Sequence, residues 1–438
     1  MNGGKLLGKG TIGQVFTIKN KNDNVIKISK RNKMNELKRE YNIFKEIINI
    51  FPKKFIDRFF IISNKSITNK KNIKNLLNEE NLKNLNYNLN SNNSEVFSFI
   101  LKKGIQYKNY KNTIENKENF YFKIFYKLLI CYNVCLKYNV ANFDCKPINT
   151  IIKEFNKVNE IISIDYDNVY FIKNKSELIQ FKLLAPGYTY YWSPEFWKHK
   201  DGSDIEEFLK YYFPSKKWED TYDYLNQYIK DTNYQELINK GMIWHLIHAF
   251  FFPNFITSVI SKENITNSKN PLLKHKELQK LFIKALDPNP ITRINLTEFT
   301  SKFELLAKDG IFGKEIQSEI NSKEINLSQI FGLNYKKGND TVILTNNQNK
   351  PVFELIIEYY IKNNKNNKNN KNNKNNKNND NINNKNINYS IGGKKNTYKK
   401  IRKHQGIYQT GINAGKLKPE YKYSGKKTKT GLKIIVKK

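Results

Sequence analysis

Cysteine is nearly missing from this chain of 438 residues: there are three, Cys131, Cys135 and Cys145, an odd set without metal-type pairing. That excludes a disulfide framework and favours an intracellular, reducing compartment. Arginine is almost as scarce, at positions 31, 39, 58, 293 and 402 only, although Lys and Arg together number 76 against 40 acidic residues. A net charge of +36 ordinarily signals nucleic acid or another anionic partner. Lysine, asparagine and isoleucine run together throughout, however, as an AT-rich genome writes them, so most lysines read as solvated surface. Long apolar runs are lacking too. Met242 to Ile260 comes nearest, but it contains His245, His248, Pro253 and Asn254 and reads as a buried helix pair, with no membrane span expected. The glycine-rich stretch at Gly8 leaves no room for a leader, and Asn2 stands where myristoylation needs glycine.

Aromatic residues, 13 % of the chain, are ample for a packed core, and the length implies a large bilobed domain with an appendage. Val15–Ile18 and Asn24–Ile28 read as strands about an Asn20–Asp23 turn, and Leu37, Tyr41, Phe44 and Ile48 share one helical face. Residues 64–94 read as an inserted loop, Val96–Leu101 as a strand, and Phe120–Tyr138 as a buried helix leading to Asp144. Thr150–Ile152 and Ile161–Ile164 are short strands, and 194–307 is mainly helical. The expected class is α+β, a small β-rich part followed by a larger helical part within residues 1–307. An extension at 308–361 has room for a helix and a small hairpin. The Asn-Asn-Lys tract at 362–388 cannot bury apolar surface and is expected to be disordered, and 389–438 forms a small basic module.

Two stretches carry chemistry. Gly8-Lys9-Gly10-Thr11-Ile12-Gly13-Gln14-Val15 matches G-x-G-x-x-G-x-V between two strands, where missing side chains let backbone N–H groups approach phosphate oxygens. Lys27, on the next strand, can neutralise nucleotide phosphates if a helix carboxylate holds it. Glu40 is the chosen carboxylate, with Glu36 and Glu46 as rivals. The second stretch is Asp144-Cys145-Lys146-Pro147-Ile148-Asn149, followed by Asp165 at the end of an apolar strand. Asp144 can accept a hydroxyl proton, Lys146 can steady a transferring phosphoryl group, and Asn149 and Asp165 can ligate Mg²⁺.

With these motifs the chain resembles the eukaryotic-type protein kinase family over roughly residues 3–305. The resemblance implies a bilobed kinase-like fold, ATP and Mg²⁺ as cofactors, and transfer of the γ-phosphate to Ser or Thr of protein substrates, since Lys146 follows the Ser/Thr pattern. It implies nucleotide binding at Gly8, Lys9, Gly10, Gly13, Val15 and Lys27, catalysis by Asp144, Lys146, Lys27 and Glu40, and metal binding by Asn149 and Asp165. Ser193-Pro194-Glu195 resembles the family's A-P-E, and Asp287–Arg293 its late Asp-Pro-to-Arg segment, which implies an Arg293–Glu195 ion pair. Departures stand beside the matches. Asn142-Phe143-Asp144 replaces H-R-D, removing the arginine that reads a phosphorylated activation loop. Asp165-Tyr166-Asp167 replaces D-F-G and loses its glycine. A pseudokinase scaffold is therefore the alternative.

Tyrosine and lysine interleave through 389–438, as in Tyr398–His404 and Tyr421–Lys427, a pattern suited to nucleic acid or another acidic partner. The Asn/Lys bias, the divergent core and this terminal module together resemble proteins of large nucleocytoplasmic DNA viruses, which implies host cytoplasm or virion.

Overall fold

The computed structural model describes residues 5–10, 12–30, 32–77, 85, 95–110, 117–142, 147–155, 157–163, 169–172, 193–194, 209–252, 260–335, 342–361, 421–427 and 433–437. Near the N-terminus, strands β1 (Leu6–Lys9), β2 (Gly13–Ile18), β3 (Lys21–Ser29), β4 (Ser66–Ile67) and β5 (Ser98–Lys102) form an antiparallel sheet in the order β1-β2-β3-β5-β4. The β2–β3 turn is tighter than the sequence suggests. Ile18 pairs with Lys21, so polar Lys21–Asp23 belong to the strand, and Asn20 takes the left-handed backbone the turn requires (φ 59°).

Strand alternation sends the two faces of this sheet to different partners. Phe16, Ile18, Ile26 and Ile28 face one way and bury Ile73, Leu77 and Leu85. Val25, Lys27 and Phe99 face helix α1 (Met34–Ile50), whose Tyr41 and Phe44 pack on Phe99 with ring centroids 6.1 and 5.1 Å apart. Ile48 is 40 % exposed and Ile47 is buried instead, because the last turns of α1 lean on Phe51 and Phe55 of the following segment and helix α2 (Lys53–Phe59). Part of the expected 64–94 loop is structured: β4 is followed by helix α3 (Lys70–Leu76), capped by Asn69 and holding Ile73 on the sheet.

Strand β6 (Ile105–Gln106) and helix α4 (Tyr107–Tyr110) lead to α5 (Lys117–Lys137), buried from Phe122 to Cys135. Next come β7 (Val140–Asn142), a 3₁₀ turn at Pro147–Asn149, β8 (Thr150–Phe155), β9 (Val158–Ser163) and β10 (Val169–Phe171). Beyond them the described chain is mostly helical: α6 (Trp218–Asp231), α7 (Tyr234–Phe251), α8 (Lys262–Thr266), α9 (Lys276–Ala285) and α10 (Leu296–Lys308). Helix α7 is buried almost all round, as its continuous hydrophobicity requires, and it carries His245 and His248 into the interior. It ends at Phe251, so residues 242–251 of the Met242–Ile260 run are one buried helix end, and the second helix expected there falls on 253–259, which lie outside the described residues. Among the described residues no helix is long and apolar enough to cross a membrane.

The segment after residue 307 continues the same core. It comprises α11 (Lys314–Asn321), β11 (Glu324–Asn326), α12 (Leu327–Phe331), β12 (Gly332–Leu333), β13 (Ile343–Thr345) and a last helix α13 at 352–361. Phe312, Ile316, Leu327, Phe331, Val352 and Ile356 share one buried cluster with residues of α5 and α7. Strand β12 adds to a second sheet, in the order β12-β9-β8-β6. The protein is thus a mixed α+β chain, an N-terminal antiparallel sheet followed by a mostly helical region. It divides into two compact units, Met1–Asn375 and Asn376–Lys438. The described part of the second is an antiparallel hairpin of β14 (Tyr421–Lys427) and β15 (Lys433–Lys437). The expected 362–388 tract and residues 389–420 lie outside the described residues.

Candidate functional site

The glycine-rich stretch is the β1–β2 hairpin. Gly8 pairs with Val15 and Lys9 with Gln14, and the Gly10 N–H donates to the Gly13 carbonyl at 2.9 Å to close the turn. Its glycines serve different ends. A Cβ at Gly13 would meet the Ile28 carbonyl oxygen at 2.8 Å, so packing alone demands that glycine. At Gly8 a Cβ would meet nothing within 4 Å, and at Gly10 only the Gly13 oxygen, at 3.6 Å. The protein's own packing asks for neither glycine. Both leave open backbone that a phosphate could approach.

Val15, Lys27 and Phe99 stand opposite one another across β2, β3 and β5. The Lys27 stem runs beside Gly13, where a Cβ would lie 3.5 Å from its Cγ. Its ammonium donates to both Glu40 carboxylate oxygens, at 2.9 and 2.7 Å, from side chains 12 % and 2 % exposed. Glu40 sits mid-helix on the buried face of α1, locked between Leu37, Tyr41 and Phe44. The rivals are settled by the same helix: Glu36 pairs with Lys33, which lowers its pKa, and Glu46 is exposed. A cation fixed in this way beside an open glycine hairpin has the charge and the place to meet a phosphate.

Asp144, Lys146 and Asp165 lie outside the described residues, and so does Glu195. What flanks the first three is described. Asn142, at the end of β7, pairs with Val169, at the start of β10. Asn149 is buried at the end of its 3₁₀ turn. Thr150, the next residue, pairs with Ser163, two positions before Asp165. Segment 164–168 therefore runs from β9 to β10, and segment 143–146 runs from β7 to the 3₁₀ turn that precedes β8. Arg293 is buried, stacks on Trp244 at 4.9 Å and donates to the Asp287 and Pro288 carbonyls of its own loop at 2.7 and 3.1 Å. Among the described residues no three His, Cys, Asp or Glu side chains cluster as a metal site.

One charged cluster escaped the sequence reading. Glu160 on β9 is fully buried and accepts from Arg58 Nε of α2 at 2.9 Å and from Lys127 Nζ of α5 at 2.6 Å. Arg58 also donates to Ser328 Oγ of α12 at 2.9 Å, and its guanidinium lies over Phe155 and Phe331. Burial pushes the Glu160 carboxyl up, but Lys127 and Arg58 outweigh it and hold the group below the usual carboxylate range. At Lys127 burial wins over the attraction of Glu160, and the pKa falls to about 8. The available signals were a glutamate in an apolar strand, a lysine in an apolar helix, and one of only five arginines.

No protein-family model matches the chain, and no curated protein matches it either.

Proposed function

We propose that this protein is an ATP- and Mg²⁺-dependent protein kinase that phosphorylates Ser or Thr, built on a divergent form of the bilobed kinase fold. The observation that carries this reading is the Lys27–Glu40 ion pair, strand lysine to helix glutamate, beneath an open glycine hairpin. Protein kinases need this pair in place for turnover. Mg·ATP would supply the transferable γ-phosphoryl group and the cation that offsets its charge. Backbone N–H groups of the Gly8–Val15 hairpin, including those of Lys9, Gly10 and Gly13, would hold the phosphates, and Lys27 would neutralise them. Asn149 and Asp165 would hold the metal. Asp144 would take the proton of the substrate hydroxyl as the hydroxyl oxygen bonds to the γ-phosphorus and the bond to the ADP oxygen breaks, and Lys146 would steady the phosphoryl group. Asp144, Lys146 and Asp165 enter through motif spacing, supported by the flanking ladders.

The second reading is a pseudokinase scaffold, favoured by Asn142-Phe143-Asp144 and Asp165-Tyr166-Asp167. The two are separated by transfer of labelled γ-phosphate to casein, myelin basic protein and the protein itself. The kinase reading expects wild-type labelling of Ser or Thr, with Asp144→Asn and Asp165→Asn slower by roughly 10²- to 10⁴-fold. ATP binding without labelling by any of the three proteins would leave the scaffold.

A further inference from the structure

The proposed site has two halves: the ammonium–carboxylate pair on β3 and α1, and the hairpin β8–β9, whose open end leads to Asn149 and Asp165. The hairpin belongs to a different sheet from β3, and the two sheets are joined on one side by β5, the partner of β3, which runs through two residues into β6, the partner of β8. The buried triad ties the same hairpin from a second side, through α2 and α5. Helix α2, which carries Arg58, begins three residues after α1, the helix of Glu40, ends. Arg58 meets Glu160 through two nitrogens, Nε and one terminal nitrogen, a fork that fixes orientation as well as distance. Lys127 holds the other carboxylate oxygen from α5.

Glu160, like its neighbour Asn159, lies where β9 is paired on both edges, here with Lys153 of β8 and Gly332 of β12. Beside Gly332 the packing is so close that a Cβ there would overlap the Val158 side chain and the Ser328 carbonyl. Well-packed apolar residues commonly replace a buried ionic triad with no loss of stability. Stability alone therefore does not account for three charged groups at this place, whereas directed hydrogen bonds on one carboxylate do fix a strand.

We propose that Glu160, held by Arg58 and Lys127 and backed by Ser328 of the C-terminal extension, is a positioning residue. It sets the metal-binding end of β8–β9 against the Lys27–Glu40 pair. The assignment rests on the kinase reading above.

The test uses the full chain and follows initial rates of γ-phosphate transfer against Mg²⁺ and ATP concentration, alongside thermal unfolding. Three proteins are compared with wild type: Glu160→Gln, the triple variant Arg58→Met/Glu160→Leu/Lys127→Met, and Asn133→Ala. Asn133 bonds Leu129 and Thr300 within the helical core and controls for lost stability. Displacing the metal ligands lowers kcat on the order of 10- to 100-fold and raises the Mg²⁺ concentration for half-maximal rate, with KM for ATP within about twofold of wild type. The triple variant shows the same losses at a wild-type melting temperature, and it carries the test if Glu160→Gln fails to fold. Asn133→Ala keeps wild-type Mg²⁺ dependence. Wild-type kinetics in the folded triple variant, or an equal loss in Asn133→Ala, overturns the positioning role alone. A wild type that transfers no phosphate overturns the kinase reading and this assignment with it.

Discussion

Asn69, Asn233, Asn270, Asn295 and Asn326 each accept a backbone N–H at a helix start, at 3.3, 2.8, 3.0, 2.9 and 3.0 Å. Four of the five described non-glycine residues with left-handed backbone are also asparagine: Asn20, Asn139, Asn334 and Asn349. Asparagine suits both tasks because its short amide mimics a backbone turn and tolerates that conformation. A compositional bias read as background therefore does structural work at these positions, in a chain with only 20 glycines. Asn295→Ala, at the start of α10, is expected to lower the stability of the protein by about 1 kcal/mol. Asn295→Asp, which keeps the cap, should cost little. Urea unfolding of the two variants checks this.

At the scale of elements, β12 is closely confined between α12 and β9. A methyl at residue 332 would lie 2.1 Å from Val158 Cγ1 and 2.3 Å from the Ser328 oxygen, which is backbone and cannot rotate away. Gly332→Ala is expected to destabilise by about 1–3 kcal/mol, read as a lower urea midpoint. Wild-type stability would show that β12 is not held there. Elements built on local pattern were legible in the sequence: the β1–β3 meander, α1 through Leu37, Tyr41 and Phe44, the buried α5, and the β8–β9 hairpin. The Lys27–Glu40 pair was legible as well, because strand position and helix face are both short-range signals. What was missed is long-range. Ser328 lies 270 residues from Arg58, and β12 has two residues, too few to show any period. Helix α3 was hidden by the polar residues around Ile73 and Leu77. Residues 308–361 read as an extension because nothing local in Phe312, Phe331 or Val352 says which core they join.

For the whole molecule, pH dependence follows from the buried triad. Glu160, held below its ordinary value by Lys127 and Arg58, contributes stability that is full above about pH 4.5 and is lost as pH falls through its folded-state pKa. Lys127 acts in the opposite sense. Its pKa of about 8 in the fold against 10.5 unfolded means that the unfolded chain binds more protons between those values. Stability contributed by this group therefore rises from pH 8 to 10.5, by about 3 kcal/mol at most. Arg58, Cys131 and Glu160 all face it. Lys127→Met should remove that alkaline rise, and Glu160→Gln should blunt the acid loss, both measured by chemical unfolding across pH. The central claim, that a lysine fixed on a helix carboxylate serves phosphoryl transfer, is tested most directly by comparing labelled phosphate transfer by wild type and Lys27→Met at saturating Mg·ATP. The account predicts labelled serine or threonine with wild type and a loss of roughly 10²-fold or more with the variant. Equal labelling by both proteins, or none by wild type, would contradict it.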